Sequence, residues 1–247
     1  SIYDKKSIIV DNPLDSNRKY LRTNLKNSLL KNLTYNERRQ KETIKLFEIA
    51  DIYTSNYKKR KRVLGIVASG RVDKNYQDFS KKINNKYIEN MIVNNLNVEK
   101  VEFQEISRDS LDSKSKETIV YTEIDIEPSL NVKKLFTTHN EININNKQYV
   151  PISDFPSSKR DLSFSIKDFS KCKILEKSVM GHQHKLLKET FIFDYFKNEK
   201  IQEIKIGFRF IFQSKHSTIT DNEVNDVMDS IIANALKISS VTVPGLT

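Results

Sequence analysis

One carboxylate, Asp194, stands among Phe191, Ile192, Phe193, Tyr195 and Phe196 in the stretch FIFDYFKNEK (residues 191–200). An ionised aspartate in an apolar strand is costly unless it faces water or a partner. A second chemical feature is the run Lys58, Lys59, Arg60, Lys61 and Arg62. Such a cluster touches nucleic-acid phosphates or forms a solvated hairpin tip, and it also mimics a nuclear signal. Other reactive residues point to nothing comparable. His182 and His184 have no neighbouring cysteine or acid cluster, and they read as a turn rather than a metal site. The single cysteine, Cys172, lies between Lys171 and Lys173 without a histidine–aspartate constellation, and reads as a packed small side chain. Ala68-Ser69-Gly70-Arg71 lacks the glycine spacing of a phosphate loop. No nucleophile–base arrangement emerges, so no catalytic residue and no metal are expected.

The chain has 247 residues, which suits one or two domains. At 37% hydrophobic and 30% charged it has enough apolar matter for a core. No run approaches the roughly 18–20 apolar residues of a membrane helix. The N-terminus has no signal-peptide form, and one cysteine suits a reducing compartment, so a cytoplasmic protein is expected. The net charge of +10 attracts polyanions, nucleic acid first among them. Heavy use of Lys, Asn and Ile throughout accounts for the same charge as a compositional bias.

Periodicity then places the elements. Ser7–Val10 reads as a short strand. Leu21, Leu25, Leu29 and Leu33 recur every four residues, with Leu30 widening a helical stripe. A long, mostly buried strand with Ile44, Leu46, Phe47, Ile49 and Tyr53 follows, then the basic turn and the strand VLGIVASGR, as a hairpin. Residues 76–95 form a helix with Phe79, Ile83, Tyr87 and Met91 on one stripe. VEKVEFQEI and TIVYTEIDI read as strands and SLNVKKLFTT as a short helix. The polar run 139–148 marks the boundary between domains 1–147 and 148–247. Beyond it come a strand in RDLSFSI, a helix N-capped by Ser170, strands in KETFIFDYF and IKIGFRFIF, and a helix opened by Thr220 and Glu223 at capping-box spacing. SSVTV closes the chain. The order is β-α-β-β-α-β, the ferredoxin-like split unit.

That topology lays both helices on one face of an antiparallel sheet. Strict alternation puts Phe191, Phe193 and Tyr195 beneath the helices with Ile206, Phe208, Phe210 and Phe212. Asp194 and Phe196 then share the other face with Ser163, Ser165, Lys205, Gly207 and Arg209. Two readings of that face stay open: a platform for single-stranded RNA bases, or a plain solvated or covered sheet face.

Phe155-Pro156, Arg160-Asp161-Leu162, Phe193-Asp194 and Thr218 through Glu223-Val224 resemble the ferredoxin-fold anticodon-binding domain that closes the β chain of bacterial phenylalanine–tRNA ligase. The N-terminal stretch NPLDSNRKYLRTNLKNSLLKNLTYNERRQKETIKLFEIADIY is similar to that β chain's catalytic-like domain. Two blocks in the family's order cover most of the chain, weakly between about 95 and 147.

The resemblance implies an α+β chain: an antiparallel-sheet, class II synthetase-like domain without active-site residues, then the ferredoxin-like domain. It implies that the first buttresses an α chain, in an α2β2 assembly, and that the second binds the tRNA-Phe anticodon. ATP, phenylalanine and Mg2+ would sit on the α chain and no cofactor on this one. Neither DNA nor membrane is an expected partner. The residues that map to the family's anticodon face are Ser163, Asp194, Phe196 and Lys205. The first base of a phenylalanine anticodon is guanine, whose N–H groups suit Asp194, while Lys205 and Arg209 would attract phosphate. Phe196 keeps the stacking ring but lacks a tyrosine hydroxyl, and Lys205 stands where the family has a small serine. The chain ends on Val243-Pro244-Gly245 in place of the family's Leu-Arg-Gly-like close. The family's His-Pro-Gly and Gly-x-x-His-Pro segments are missing, so the first domain is expected to be trimmed. The family's oligonucleotide-fold and editing modules are also missing, so a C-terminal fragment is expected. A stand-alone RNA-binding protein and a small-ligand regulatory module are the competing readings.

Overall fold

A computed structural model describes residues 8–15, 19–53, 60–96, 98, 100–126 and 151–246. The chain divides into two compact units, Ser1–Gly70 with Lys82–Asn146, and Arg71–Lys81 with Lys147–Thr247. The expected helix 129–138 and linker 139–148 lie outside the described residues.

In the first unit the leucine stripe forms α1 (Lys26–Glu37), and β1 (Ile44–Tyr53) pairs with β2 (Arg60–Ser69) as an antiparallel hairpin. β3 (Phe103–Gln104) and β4 (Ile119–Asp125) complete a sheet of order β1-β2-β4-β3. The expected strand over VEKVEFQEI is therefore only two residues long. A lone bridge, Ile9 to Tyr20, stands near the expected first strand. Leu25, Leu29 and Leu33 bury completely or nearly so against Ile44, Val63, Val67 and Tyr121. A Cβ on Gly65 would lie 2.9 Å from Leu29 Cδ1, so glycine there lets helix and sheet approach closely. β1 is not mostly buried, as its residue types suggest: Phe47 is 71% exposed and Ile49 54%.

Leu25, the N-cap of α1, offers no side-chain cap, and Asn24 Oδ1 accepts only the Lys26 N–H, at 3.1 Å. Glu123 of β4 accepts the Leu25 N–H at 2.6 Å, and Tyr121 donates its hydroxyl to the same carboxylate. A carboxylate at this end satisfies an orphan donor and complements the helix dipole. Burial, then the Glu123 hydrogen bond, push the Tyr121 hydroxyl well above its ordinary value, so it stays a donor. Arg108 donates to Glu37 at 2.9 and 3.0 Å, to Ser69 Oγ at 3.0 Å and to the Glu117 carbonyl at 2.7 Å. It thus ties the last turn of α1 to the end of β2.

The expected helix 76–95 is corrected to α2 (Asn85–Asn95). Asn84 caps it by accepting the Tyr87 N–H at 2.9 Å. Asn75 Oδ1 instead accepts from Gln77 and Asp78, a local turn that competes with helix. Arg71–Lys81 belongs to the second unit, and Phe79 spends its ring there.

The second unit contains β5 (Ser158–Ile166), α3 (Cys172–Met180), β6 (Leu187–Asn198), β7 (Glu203–Phe212), α4 (Asp221–Leu236) and β8 (Val241–Thr242). Its antiparallel sheet has the order β6-β7-β5-β8, the ferredoxin-like arrangement. α3 and α4 cover one face, over Phe164, Ile206, Phe208 and Phe210. Ser170 is not the cap: a 3-10 turn, Phe169–Lys171, precedes α3, and Asp168 accepts the Ser170 N–H at 2.9 Å. α4 does open on the capping box of Thr220 and Glu223.

Register along β6 corrects the alternation. Phe191 lies opposite Arg209, Ile192 opposite Phe208, and Asp194 opposite Gly207, with a shift between Ile192 and Asp194. Register shifts twice along β6: the first shift, between Leu187 and Glu189, reverses the phase of the strand, and the second, a β-bulge with Phe193 as the extra residue, restores it. Phe191 and Phe193 therefore lie with Asp194 and Phe196 on the face away from the helices, and only Tyr195, opposite Ile206, keeps its expected side. The Phe193 ring covers Gly207, where an added Cβ would sit 3.0 Å from Phe193 Cε1 and Cζ and 3.1 Å from Asp194 Cβ.

Two outcomes test this. Gly207→Ala is expected to displace the Phe193 ring and to cost about 1–3 kcal/mol, as overpacking does. Denaturant unfolding measures the cost, and unchanged stability would contradict the close approach. For the α4 cap, the Thr220 N–H and then its hydroxyl hold the Glu223 carboxyl below its ordinary 4.5. That stabilisation is complete above 4.5 and is lost as pH falls through the lower folded value. In an NMR titration, Thr220→Ala should move the Glu223 midpoint back towards 4.5, with a stability loss of about 1 kcal/mol at neutral pH.

Candidate nucleic-acid interface

The face of the second sheet away from α3 and α4 is laid out in cross-strand rows. Phe191, Arg209 and Asp161 form the first; the bulged Phe193 with Asp194, then Gly207 and Ser163, form the second; Phe196, Lys205, Ser165 and Thr242 form the third. Every residue assigned to this face from sequence is on it. The second and third rows bring together Ser163, Asp194, Phe196 and Lys205. Phe196 is 54% exposed, unusual for a phenylalanine in a paired strand. The Asp194 side chain is exposed and has no hydrogen-bond partner among the described residues. Both its oxygens are thus available as acceptors, one row from a bare ring.

Lys205 lies opposite Phe196 and Ser165, with Nζ 3.7 Å from the Glu203 carboxylate. Ser165 is buried and donates to that carboxylate at 2.6 Å. Lys205 is therefore a partly neutralised cation at the rim of the third row. An exposed pair of this kind contributes about 0–1 kcal/mol, so the lysine gives up little by turning to another anion.

Arg209 is placed differently. Its guanidinium grips Asp161 through two bonds of 2.7 and 2.6 Å. It also lies 5.0 Å from the Phe79 ring centroid and 5.4 Å from that of Phe193. Bidentate pairing and ring contact on a largely buried group give it partners that a phosphate would have to displace. The role expected for Arg209, phosphate attraction, is not the one its geometry favours.

Sequence reading missed Arg71–Lys81 as part of this surface. Phe79 meets Phe191 at 5.9 Å and Phe193 at 5.6 Å, and the Arg71 guanidinium lies 4.2 Å over Phe79. Lys74 donates to both Glu189 oxygens at 2.7 Å, and Tyr76 meets Tyr195 at 5.3 Å. The first row and Phe193 of the second are therefore covered, while Ser163, Asp194, Phe196 and Lys205 are left facing outwards. One signal was present in the sequence: a glycine inside the apolar strand IKIGFRFIF marks a bulge or a close approach.

The basic cluster is also more occupied than its sequence suggests. Lys58 and Lys59 lie outside the described residues. Arg62 donates to Asp51 at 2.9 and 3.3 Å, Arg60 lies 3.5 Å from the same carboxylate, and Lys61 is 3.7 Å from Asp125. The Arg62 hydrogen bond holds the Asp51 carboxyl below its ordinary value. His184, from the two-histidine run, accepts the Leu186 N–H at Nδ1, as a turn residue does. Burial pushes the Cys172 thiol up, away from nucleophilic character.

Residues 3–125 match the family model described as the phenylalanyl tRNA synthetase beta chain CLM domain, and residues 153–243 match the ferredoxin-fold anticodon binding domain. Among curated proteins, the chloroplastic phenylalanine–tRNA ligase beta subunit of Pyropia yezoensis is 29% identical over 91% of this chain and 36% of its own length. The beta subunit from Carboxydothermus hydrogenoformans is 25% identical over 92% of this chain and 32% of its own. That from Mycoplasma mycoides is 27% identical over 90% of this chain and 31% of its own. The chain thus spans about a third of the length of the relatives it matches. With a β-chain CLM domain followed by a ferredoxin-fold anticodon-binding domain, in an α+β chain whose two sheets are antiparallel, the protein belongs to the phenylalanyl-tRNA synthetase β-chain family.

Proposed function

We propose that this chain serves phenylalanine–tRNA ligation as the C-terminal part of a β chain in the cytoplasm. Its first unit supports the catalytic α chain of an α2β2 assembly. Its second unit binds the anticodon of tRNA-Phe on the open rows of its sheet. ATP, phenylalanine and Mg2+ belong to the α chain, and this chain alone does not aminoacylate. The observation that carries the reading is the unpaired Asp194 carboxylate beside the exposed Phe196 ring, on a sheet face away from the helices.

Guanine offers N–H donors on its Watson–Crick edge, which the Asp194 carboxylate accepts. Phe196 supplies a stacking face worth roughly 1–3 kcal/mol per base. Ser163, across Gly207 from Asp194, adds a hydroxyl that donates or accepts. Lys205 contributes charge, and Arg209 holds the covered row together.

Binding of tRNA-Phe, and of the same tRNA with its first anticodon base changed, tests the reading. Asp194→Ala should remove most discrimination between the two, and Phe196→Ala should weaken both by about 5- to 150-fold. Lys205→Ala should lower the salt slope of binding by about one unit and leave discrimination in place. Equal affinity for the two tRNAs, unmoved by either of the first two substitutions, overturns the anticodon assignment.

A further inference from the structure

We propose that Arg71–Lys81 is a working part of the base-reading surface, with Phe79 the positioning residue that fixes the direction of the Asp194 carboxylate. The inference rests on the anticodon reading above and adds a residue far from it in sequence.

Phe191 opposes Arg209 on the outer face and Ile192 opposes Phe208 on the inner one. Unbroken alternation from there would point Asp194 at the helices, into a core of phenylalanines. The extra residue, Phe193, is what turns the carboxylate outwards. A bulge disrupts its ladder, so something must hold the inserted residue. Here Phe193 lies over Gly207, which has no Cβ to obstruct it.

Only the outer side of that ring needs a neighbour, and Phe79 supplies it, edge-on at 5.6 Å. Two guanidinium groups lie over the Phe79 ring, that of Arg71 at 4.2 Å and that of Arg209 at 5.0 Å from its centroid. Arg71 also donates to the Phe79 carbonyl at 2.6 Å, and Arg209 is tethered to Asp161. The Lys74–Glu189 pair anchors the excursion to β6 itself. Arg71, Phe79, Arg209 and Phe193 thus form one interlocked stack ending at the bulge. The stack covers the first row and reaches the second only at Phe193, so Phe79 acts on the base through Phe193 and Asp194.

The test uses the full chain and the two tRNAs that differ in the first anticodon base. Phe79→Ala should cut discrimination at least about fivefold, the scale of one good bidentate base contact, with the salt slope unchanged. Phe79→Tyr should retain it. Adding Asp194→Ala to Phe79→Ala should lower discrimination by less than Asp194→Ala does alone. In the free protein, the amide resonances of Asp194 and Gly207 should move in Phe79→Ala and stay in Phe79→Tyr. If thermal unfolding shows that Phe79→Ala does not fold, Phe79→Leu, which keeps apolar bulk without a ring, takes its place in both measurements. Wild-type discrimination and unmoved resonances in the ring-less variant overturn the inference, while loss of discrimination in Asp194→Ala keeps the anticodon reading standing. Discrimination unaffected by Asp194→Ala overturns the reading itself.

Discussion

The face of the second sheet depends on two register shifts along β6. The first, between Leu187 and Glu189, turns Phe191 away from the helices, and the second, at the inserted Phe193, keeps Asp194 outward and returns Tyr195 to the helix side. The consequence is an unusual division of aromatic rings. Phe164, Phe208 and Phe210 fill the core below, while Phe191, Phe193 and Phe196 line the opposite face. An antiparallel sheet can leave one face to water, but three phenylalanines there expose too much apolar area to be neutral. The excursion Arg71–Lys81 resolves this by covering two of them with Phe79, and Phe196 alone remains bare.

Charge is distributed by the same economy of partners. The chain carries +10 overall, yet its most conspicuous cations are already engaged. Arg209 is held by Asp161, Arg62 and Arg60 share Asp51, and Arg108 is bound to Glu37. Arginine suits these positions because its planar fork makes two bonds to one carboxylate. The attraction of a basic chain for polyanions acts at long range and is weakened by salt. Asp194 differs from these groups: it is an exposed acid with no hydrogen-bond partner among the described residues.

In the first unit the corresponding device is internal. Glu123 reaches from a strand to the start of α1 and satisfies a backbone donor that no local side chain caps. Tyr121 holds that carboxylate from the buried side. Arg108 performs the matching task at the other end of the helix through Glu37. Helix and sheet are thus joined by polar contacts at both ends and by the leucine stripe between them.

Much of this was legible in the residues themselves. Four-residue leucine spacing located α1, the Thr220–Glu223 pair located the start of α4, and alternation in β5 and β7 assigned their faces correctly. These are local signals, set by one element's own period and capping chemistry. They sufficed to place Ser163, Asp194, Phe196 and Lys205 together. Three things needed the tertiary structure. The two register shifts in β6 needed it because two-residue periodicity cannot register an inserted residue, and Phe191 and Phe193 look like any inward-facing rings until the partner strand is present. Phe79 sits four residues before Ile83, a spacing that mimics a helix, and only contact with Phe191, Phe193 and Arg209 shows that it packs on a sheet over a hundred residues away. Arg209 reads as a free cation until Asp161 is brought across from β5. In each case the deciding interaction is non-local: the sequence by itself determined the elements and the residue types of the candidate site, and cross-strand register and packing decided which of them lie uncovered on the open face.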